Sequence, residues 1–307
     1  MPPVSDPLAD PKAEDRLRYV IGYTDTPTGR DALALGIRLA RSYGGSLHLV
    51  IVLGSESKPT LTPTDPGYER FLQDTAAGWL AEAEASLPDD IEHDSHIVYA
   101  DSFSEGLLGA SRDLLASMIV IGAARGGLLG RFALGTVASD LLHSAKVPVA
   151  LAPEGARRVG NAPLSRITCA IGTRAGADAL LDGALLFARR GDSPLRLLSL
   201  VAIDQPGGSA DRAAVDRARE HATAVVEQAR TYLPDDLVPE AVIATGDRIE
   251  DAVQSIDWDP AEIVFVGSSR LARPQHLFLG STAAKMLREL PVPMVVVPRD
   301  SVLTLGE

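Results

Sequence analysis

Ile119-Val120-Ile121-Gly122-Ala123-Ala124-Arg125 is answered 145 residues later by Val264-Phe265-Val266-Gly267-Ser268-Ser269-Arg270. Each stretch is a short apolar run that ends in glycine. Apolar residues at consecutive positions mark a strand buried on both faces of a parallel sheet. The echo extends outward in both directions. Ser86-Leu87-Pro88-Asp89-Asp90 returns as Tyr232-Leu233-Pro234-Asp235-Asp236, and Leu134-Gly135-Thr136 as Leu279-Gly280-Ser281. Val147-Pro148-Val149 returns as Val292-Pro293-Met294. The order is kept and the offset is 145 or 146 residues, too long for a solenoid repeat and suited to a whole domain. The chain therefore reads as two copies of one domain, and any site is to be sought twice.

Strand-like and helix-like segments alternate through both copies. In the first, strands are expected at 18–24, 47–53, 95–100, 118–121 and 149–151, with helices at 28–43, 67–87, 103–116 and 136–145. In the second, strands are expected near 167–171, 195–201, 240–245, 262–267 and 293–297, with helices near 176–190, 211–232, 247–257 and 280–290. This alternation predicts an α/β fold: two tandem doubly wound domains, each with a five-stranded parallel sheet. The expected division is a disordered or extended N-terminus at 1–17, domain one at 18–153, a linker at 154–165, domain two at 166–299 and a tail at 300–307. Residues 54–66, rich in Pro, Ser and Thr, read as a surface loop. The final strands of the two copies, Val149–Leu151 and Met294–Val297, are apolar edges that need cover. The simplest cover is each other, as a pseudo-two-fold pair within the chain. A homodimer would use the same kind of edge.

Composition narrows the function. A formal charge of −12 repels phosphate backbones and anionic lipid, so neither nucleic acid nor a membrane surface is an expected partner. The single cysteine, Cys169, lies in an apolar run and reads as a buried, inert thiol. A lone cysteine cannot form an internal disulfide, which fits a cytoplasmic setting. The first fifteen residues carry no apolar core of a signal peptide, and no run approaches the ~18 apolar residues of a membrane helix.

In doubly wound sheets, ligands bind beyond the carboxyl ends of the strands. That rule directs attention to 22–29 after the first strand and 122–135 after the fourth. The second of these loops is glycine-rich, and Gly135-Thr136 opens a helix. Free N–H groups and the positive dipole end of a helix favour an anion there. Thr136 adds a hydroxyl, and Arg125 and Arg131 add positive charge to an acidic protein.

The spacing Gly-x2-Gly-x9-Gly-(Ser/Thr), followed by a helix and a Pro-Val strand, resembles the nucleotide-binding loop of the universal stress protein family. Both copies keep thirteen residues between the outer glycines, Gly122 to Gly135 and Gly267 to Gly280. The resemblance covers about 18–153 and 166–298. It implies a fold related to the adenine-nucleotide alpha hydrolase-like domains and, in the members that bind it, ATP with magnesium. Carried over residue by residue, it marks Gly122, Gly135 and Thr136, and Gly267, Gly280 and Ser281, for phosphate. Val52, at the end of the second strand, stands for the backbone group that contacts the nucleotide in the family.

Two positions depart from the family pattern in both copies. Arg125 and Arg270 replace the middle glycine, and Thr24 and Ile171 replace the strand-one Asp that contacts adenine. Asp25 stands one residue later, where strand alternation points it elsewhere. Either arginine could fork onto a phosphate or fill the space a phosphate would use. The first copy is the better nucleotide site on this reading. Three functions stay open: a stress-response regulatory protein with weak ATP binding mainly in domain one, a slow nucleotide hydrolase, and a partner-interaction module that binds no nucleotide. The hydrolase would need a metal-binding carboxylate near the loop, and Asp25 and Asp101 are the local candidates. No catalytic constellation is expected: no Gly-x-Ser-x-Gly elbow and no Gly-x4-Gly-Lys-Ser/Thr segment occurs. No metal site is expected either, since His93 and His96 lie three apart at a loop–strand junction and need not face together.

Overall fold

A computed structural model describes residues 16–55, 66–123, 135–171, 177–202, 212–231, 233–234, 237–268 and 281–298. The N-terminus before residue 16, the tail from 299, most of the 54–66 loop, Arg125, Arg270 and Gly280 lie outside them. The first half contains β1 (Arg18–Gly22), α1 (Pro27–Tyr43), β2 (Ser46–Gly54), α2 (Pro66–Ala85), β3 (His93–Ala100), α3 (Phe103–Asp113), β4 (Met118–Gly122), α4 (Thr136–Ser144) and β5 (Val149–Ala152). After a single 3-10 turn at Ala156–Arg158, the second half repeats the order. It runs β6 (Arg166–Ala170), α5 (Ala177–Arg190), β7 (Leu195–Ala202), α6 (Arg212–Thr231), β8 (Glu240–Gly246), α7 (Ile249–Gln254), β9 (Glu262–Gly267), α8 (Ser281–Glu289) and β10 (Met294–Val297).

Local chemistry explains the element ends. Thr26 caps α1 by accepting a hydrogen bond from the Gly29 N–H at 3.2 Å, and Pro27 starts the helix where its missing N–H costs nothing. At the other end Gly44 and Gly45 take positive φ of 72° and 109°. A Cβ on Gly45 would meet the Leu17 carbonyl oxygen at 2.3 Å, so only glycine lets the chain leave α1 so close to β1. The expected helix near 247–257 is shorter, because Ser255 already ends it.

The ten strands form one sheet in the order β3-β2-β1-β4-β5-β10-β9-β6-β7-β8. Within each half all neighbours are parallel. The halves join where β5 and β10 pair antiparallel, with Met294 opposite Leu151 and Val296 opposite Val149. Each edge strand thus covers the other, and both are fully buried. The antiparallel join also points the two halves in opposite directions, so their carboxyl-end mouths open on opposite edges of the sheet.

Each face of the sheet is covered by helices from both halves. Leu35, Leu39, Leu80, Phe187 and Val226, from α1, α2, α5 and α6, share one apolar cluster. Leu107, Leu141, Val253 and Met286, from α3, α4, α7 and α8, share the other. Across the first face the Tyr43 and Phe187 rings meet edge-on at 5.0 Å. Arg38 of α1, 1% exposed, donates to the Ala162 carbonyl at 3.1 Å and the Pro260 carbonyl at 3.0 Å, which ties domain one to the segment that follows it and to domain two. Burial lowers the pKa of this guanidinium without threatening its charge.

Candidate functional site

Strand ends and helix starts converge at the carboxyl edge of the first half. Gly122 closes β4 against the start of α1. A Cβ there would meet the Thr28 carbonyl oxygen at 2.1 Å, so glycine is required for this approach. Gly135 is the N-cap of α4 and brings no side-chain cap, and Thr136 is the exposed first residue of the helix. The amides of that first turn have no intrahelical acceptor, and the nine-residue helix adds its dipole.

The strand-one side of the mouth is already engaged. The Thr24 hydroxyl lies 3.0 Å from the Thr26 hydroxyl. Asp25 accepts from Arg30 Nε at 3.0 Å and also pairs with its Nη2. Asp101, the other carboxylate singled out in the sequence, accepts from the Ser55 hydroxyl. Val52 stays in β2, opposite Val98 of β3, and packs under α3.

In the second half Gly267 ends β9 and Ser281 starts α8, as Gly122 and Thr136 do in the first. Ile171, just after β6, is 6% exposed inside the apolar cluster, so its side chain is part of the core. Cys169 is wholly buried, and burial pushes its thiol pKa well above the ordinary range, which leaves it inert.

At the opposite edge of the first half lies a cluster that sequence reading missed. His93 turns its Nδ1 to the Ile91 carbonyl oxygen at 2.9 Å and stands apart. His96 instead meets His48: Nδ1 of His48 and Nε2 of His96 are 3.2 Å apart, and the rings stack at 5.5 Å. Asp94 Oδ2 is 3.7 Å from His96 Nε2. Burial, then the neighbouring His96, lowers the pKa of His48. The signal available in sequence was only that residues 48 and 96 sit near the starts of adjacent strands.

These features define a tandem α/β protein whose sheet carries two glycine-flanked helix starts, one at each edge. A family model described as the universal stress protein family matches residues 17–153 and 163–298. The chain belongs to that family, with two copies of its domain. Universal stress proteins of Mycobacterium tuberculosis and Mycobacterium bovis are 29% identical over 294 residues, covering 92% of this chain and all of theirs. Among solved structures, a universal stress protein from Archaeoglobus fulgidus is 20% identical with a TM-score of 0.64, covering 92% of this chain and 98% of its own. A functionally unknown protein from Pseudomonas aeruginosa is 17% identical with a TM-score of 0.58, covering 96% of both chains. At these identities the two structures speak for the fold alone. No helix among the described residues is long and apolar enough to cross a membrane.

Proposed function

We propose that this chain is a cytoplasmic stress-response regulatory protein that binds an adenine nucleotide weakly through its first half. The observation that carries this reading is the start of α4. Gly135 offers no side chain to cap the helix, so its first amides and the Thr136 hydroxyl are left for an anion. A phosphate on those groups takes the place of a cap.

Affinity is low because the adenine side lacks a free acceptor. Asp25 is held by Arg30, and Thr24 by Thr26. Magnesium arrives with the nucleotide, since Asp25 and Asp101 are both committed within the protein. The second half binds more weakly still, because buried Ile171 accepts no hydrogen bond from a base.

Calorimetry with ATP and magnesium tests the reading. Weak binding is expected, reduced several-fold in Thr136→Ala and unchanged in Ser281→Ala. No heat at millimolar ATP, together with no nucleotide released from freshly purified protein, overturns it.

A further inference from the structure

The His48, Asp94 and His96 cluster stands at the amino-terminal edge of β2 and β3, away from the first-half mouth. His48 and Asp94 are register partners on adjacent parallel strands, and His96 lies two residues beyond Asp94. Register partners and alternate residues share a face. All three side chains therefore project from the face covered by α3, where Val50 and Val98 are also found.

One atom from each of the three lies within 4.8 Å of the others: a ring nitrogen of His48, a ring nitrogen of His96 and a carboxylate oxygen of Asp94. Two of the separations are 3.2 Å and 3.7 Å. Nitrogen and oxygen ligands at about 2.0–2.1 Å from a tetrahedral zinc stand roughly 3.3 Å from one another. Those two separations are close to an edge of such a tetrahedron, and the third is no longer than 4.8 Å. His48 Nε2, the nitrogen not turned to His96, is 3.2 Å from the Ser46 hydroxyl. A ligating imidazole commonly has such a partner on its second nitrogen, which fixes ring orientation and tautomer. Asp94 is 67% exposed, so a fourth position is open to water or a further ligand.

The second half serves as an internal contrast. There β7 and β8 set Arg196 opposite Glu240 in the register that sets His48 opposite Asp94. Arg196 and Arg166 both pair with buried Glu262, and the Arg196 guanidinium lies 5.0 Å from the Trp258 ring centre. That edge supplies its own cations. The first half has two imidazoles and a carboxylate in the matching place, with Arg18 as a nearby cation, its Nη1 3.4 Å from the Leu114 carbonyl oxygen.

We propose that His48, Asp94 and His96 form a binding site for a borderline divalent cation of the zinc class, which clamps the edge strand β3 onto β2. Two nitrogens and one oxygen suit zinc, nickel or copper and disfavour calcium and magnesium, which prefer all-oxygen shells.

The test is zinc titration of the untagged full chain after chelator treatment, followed by calorimetry and by cobalt as a spectroscopic substitute. One saturable zinc per chain is expected, with the visible bands of four-coordinate cobalt. His48→Gln, His96→Gln and Asp94→Asn should each weaken binding by tenfold or more, and Ser46→Ala by about tenfold. His143→Gln should bind as the parent does. Asp94 is exposed, so Asp94→Asn reports on ligation in a folded protein, checked by circular dichroism. Absence of a saturable zinc, or unchanged affinity and cobalt spectrum in the Asp94→Asn and His96→Gln variants, overturns the proposal.

Discussion

Asp31 and Arg157, 126 residues apart, form a two-pronged ion pair under the link between the halves. Arg157 Nη1 lies 2.8 Å and 2.9 Å from the two carboxylate oxygens. The same carboxylate, 3% exposed in the side chain, accepts the backbone N–H groups of Gly155 at 2.8 Å and Arg157 at 2.9 Å. A buried carboxylate is tolerated because each oxygen meets a donor. With Arg38 on Ala162 and the Ser42 hydroxyl on the Leu164 N–H, it pins the connecting segment along α1.

Asp31→Ala removes four acceptor contacts and leaves two amides without a partner. The expected loss is about 3 kcal/mol of stability. Urea unfolding should show a lower midpoint, and the seam between halves should gain amide hydrogen exchange first. An unchanged midpoint would show that the link contributes nothing to the fold.

Glu262 sits at 0% exposure between Arg196 and Arg166 and also accepts from the Thr168 hydroxyl. Glu262→Gln leaves two cations facing each other at the start of β6 and β7, and about 3–5 kcal/mol should be lost. Placing it in an Arg196→Met background should cost markedly less. A double-mutant cycle on denaturation midpoints measures that coupling.

Tyr19 is fully buried, and its hydroxyl has no partner among the described residues. Burial, the largest cause, raises its pKa well above the usual tyrosine range. Tyr19→Phe keeps the ring packing and removes the unpaired hydroxyl. Stability should hold or rise by about 1 kcal/mol, read as a higher melting temperature. A clear fall would mean that the hydroxyl has a partner in the protein.

His48 titrates below its ordinary value, chiefly through burial. The unfolded chain therefore binds a proton that the folded chain resists. Stability is full above the unfolded pKa of about 6.5 and falls as pH drops from there through the depressed folded value. In chelator-treated protein, His48→Gln should flatten that part of the stability profile below pH 6.5. A profile identical to the parent would assign the acid sensitivity elsewhere.

The mouth of the first half was partly legible in the sequence. Gly122, Gly135 and Thr136 stand out in the sequence because a glycine next to a helix start is a local signal; the structure puts Gly122 against Thr28 and starts α4 at Thr136 with no side-chain cap from Gly135. The engagement of Asp25 by Arg30 was not legible, since strand alternation says where a side chain points and not what it meets. His48 with His96 was hidden for a stronger reason. Their meeting depends on β2 and β3 being neighbours in one particular register, while His93, the histidine visible beside His96 in the sequence, turns to the Ile91 carbonyl.

The amino-acid order by itself determined the alternation of strands and helices and its duplication. Apolar runs, helical spacing and glycine or proline stops are all written within about twenty residues of one another, and local sterics read them without help from the rest of the chain. The two apolar final strands already marked β5 and β10 as the edges to pair; what only the tertiary structure decided is the register of that antiparallel join, with Met294 opposite Leu151, and the contacts that hold it. An exposed strand edge offers its N–H and C=O groups to any partner. The partner was selected by burial contributed from both halves, by Tyr43 on Phe187 and by Arg38 reaching Pro260, contacts whose members lie 144 and 222 residues apart.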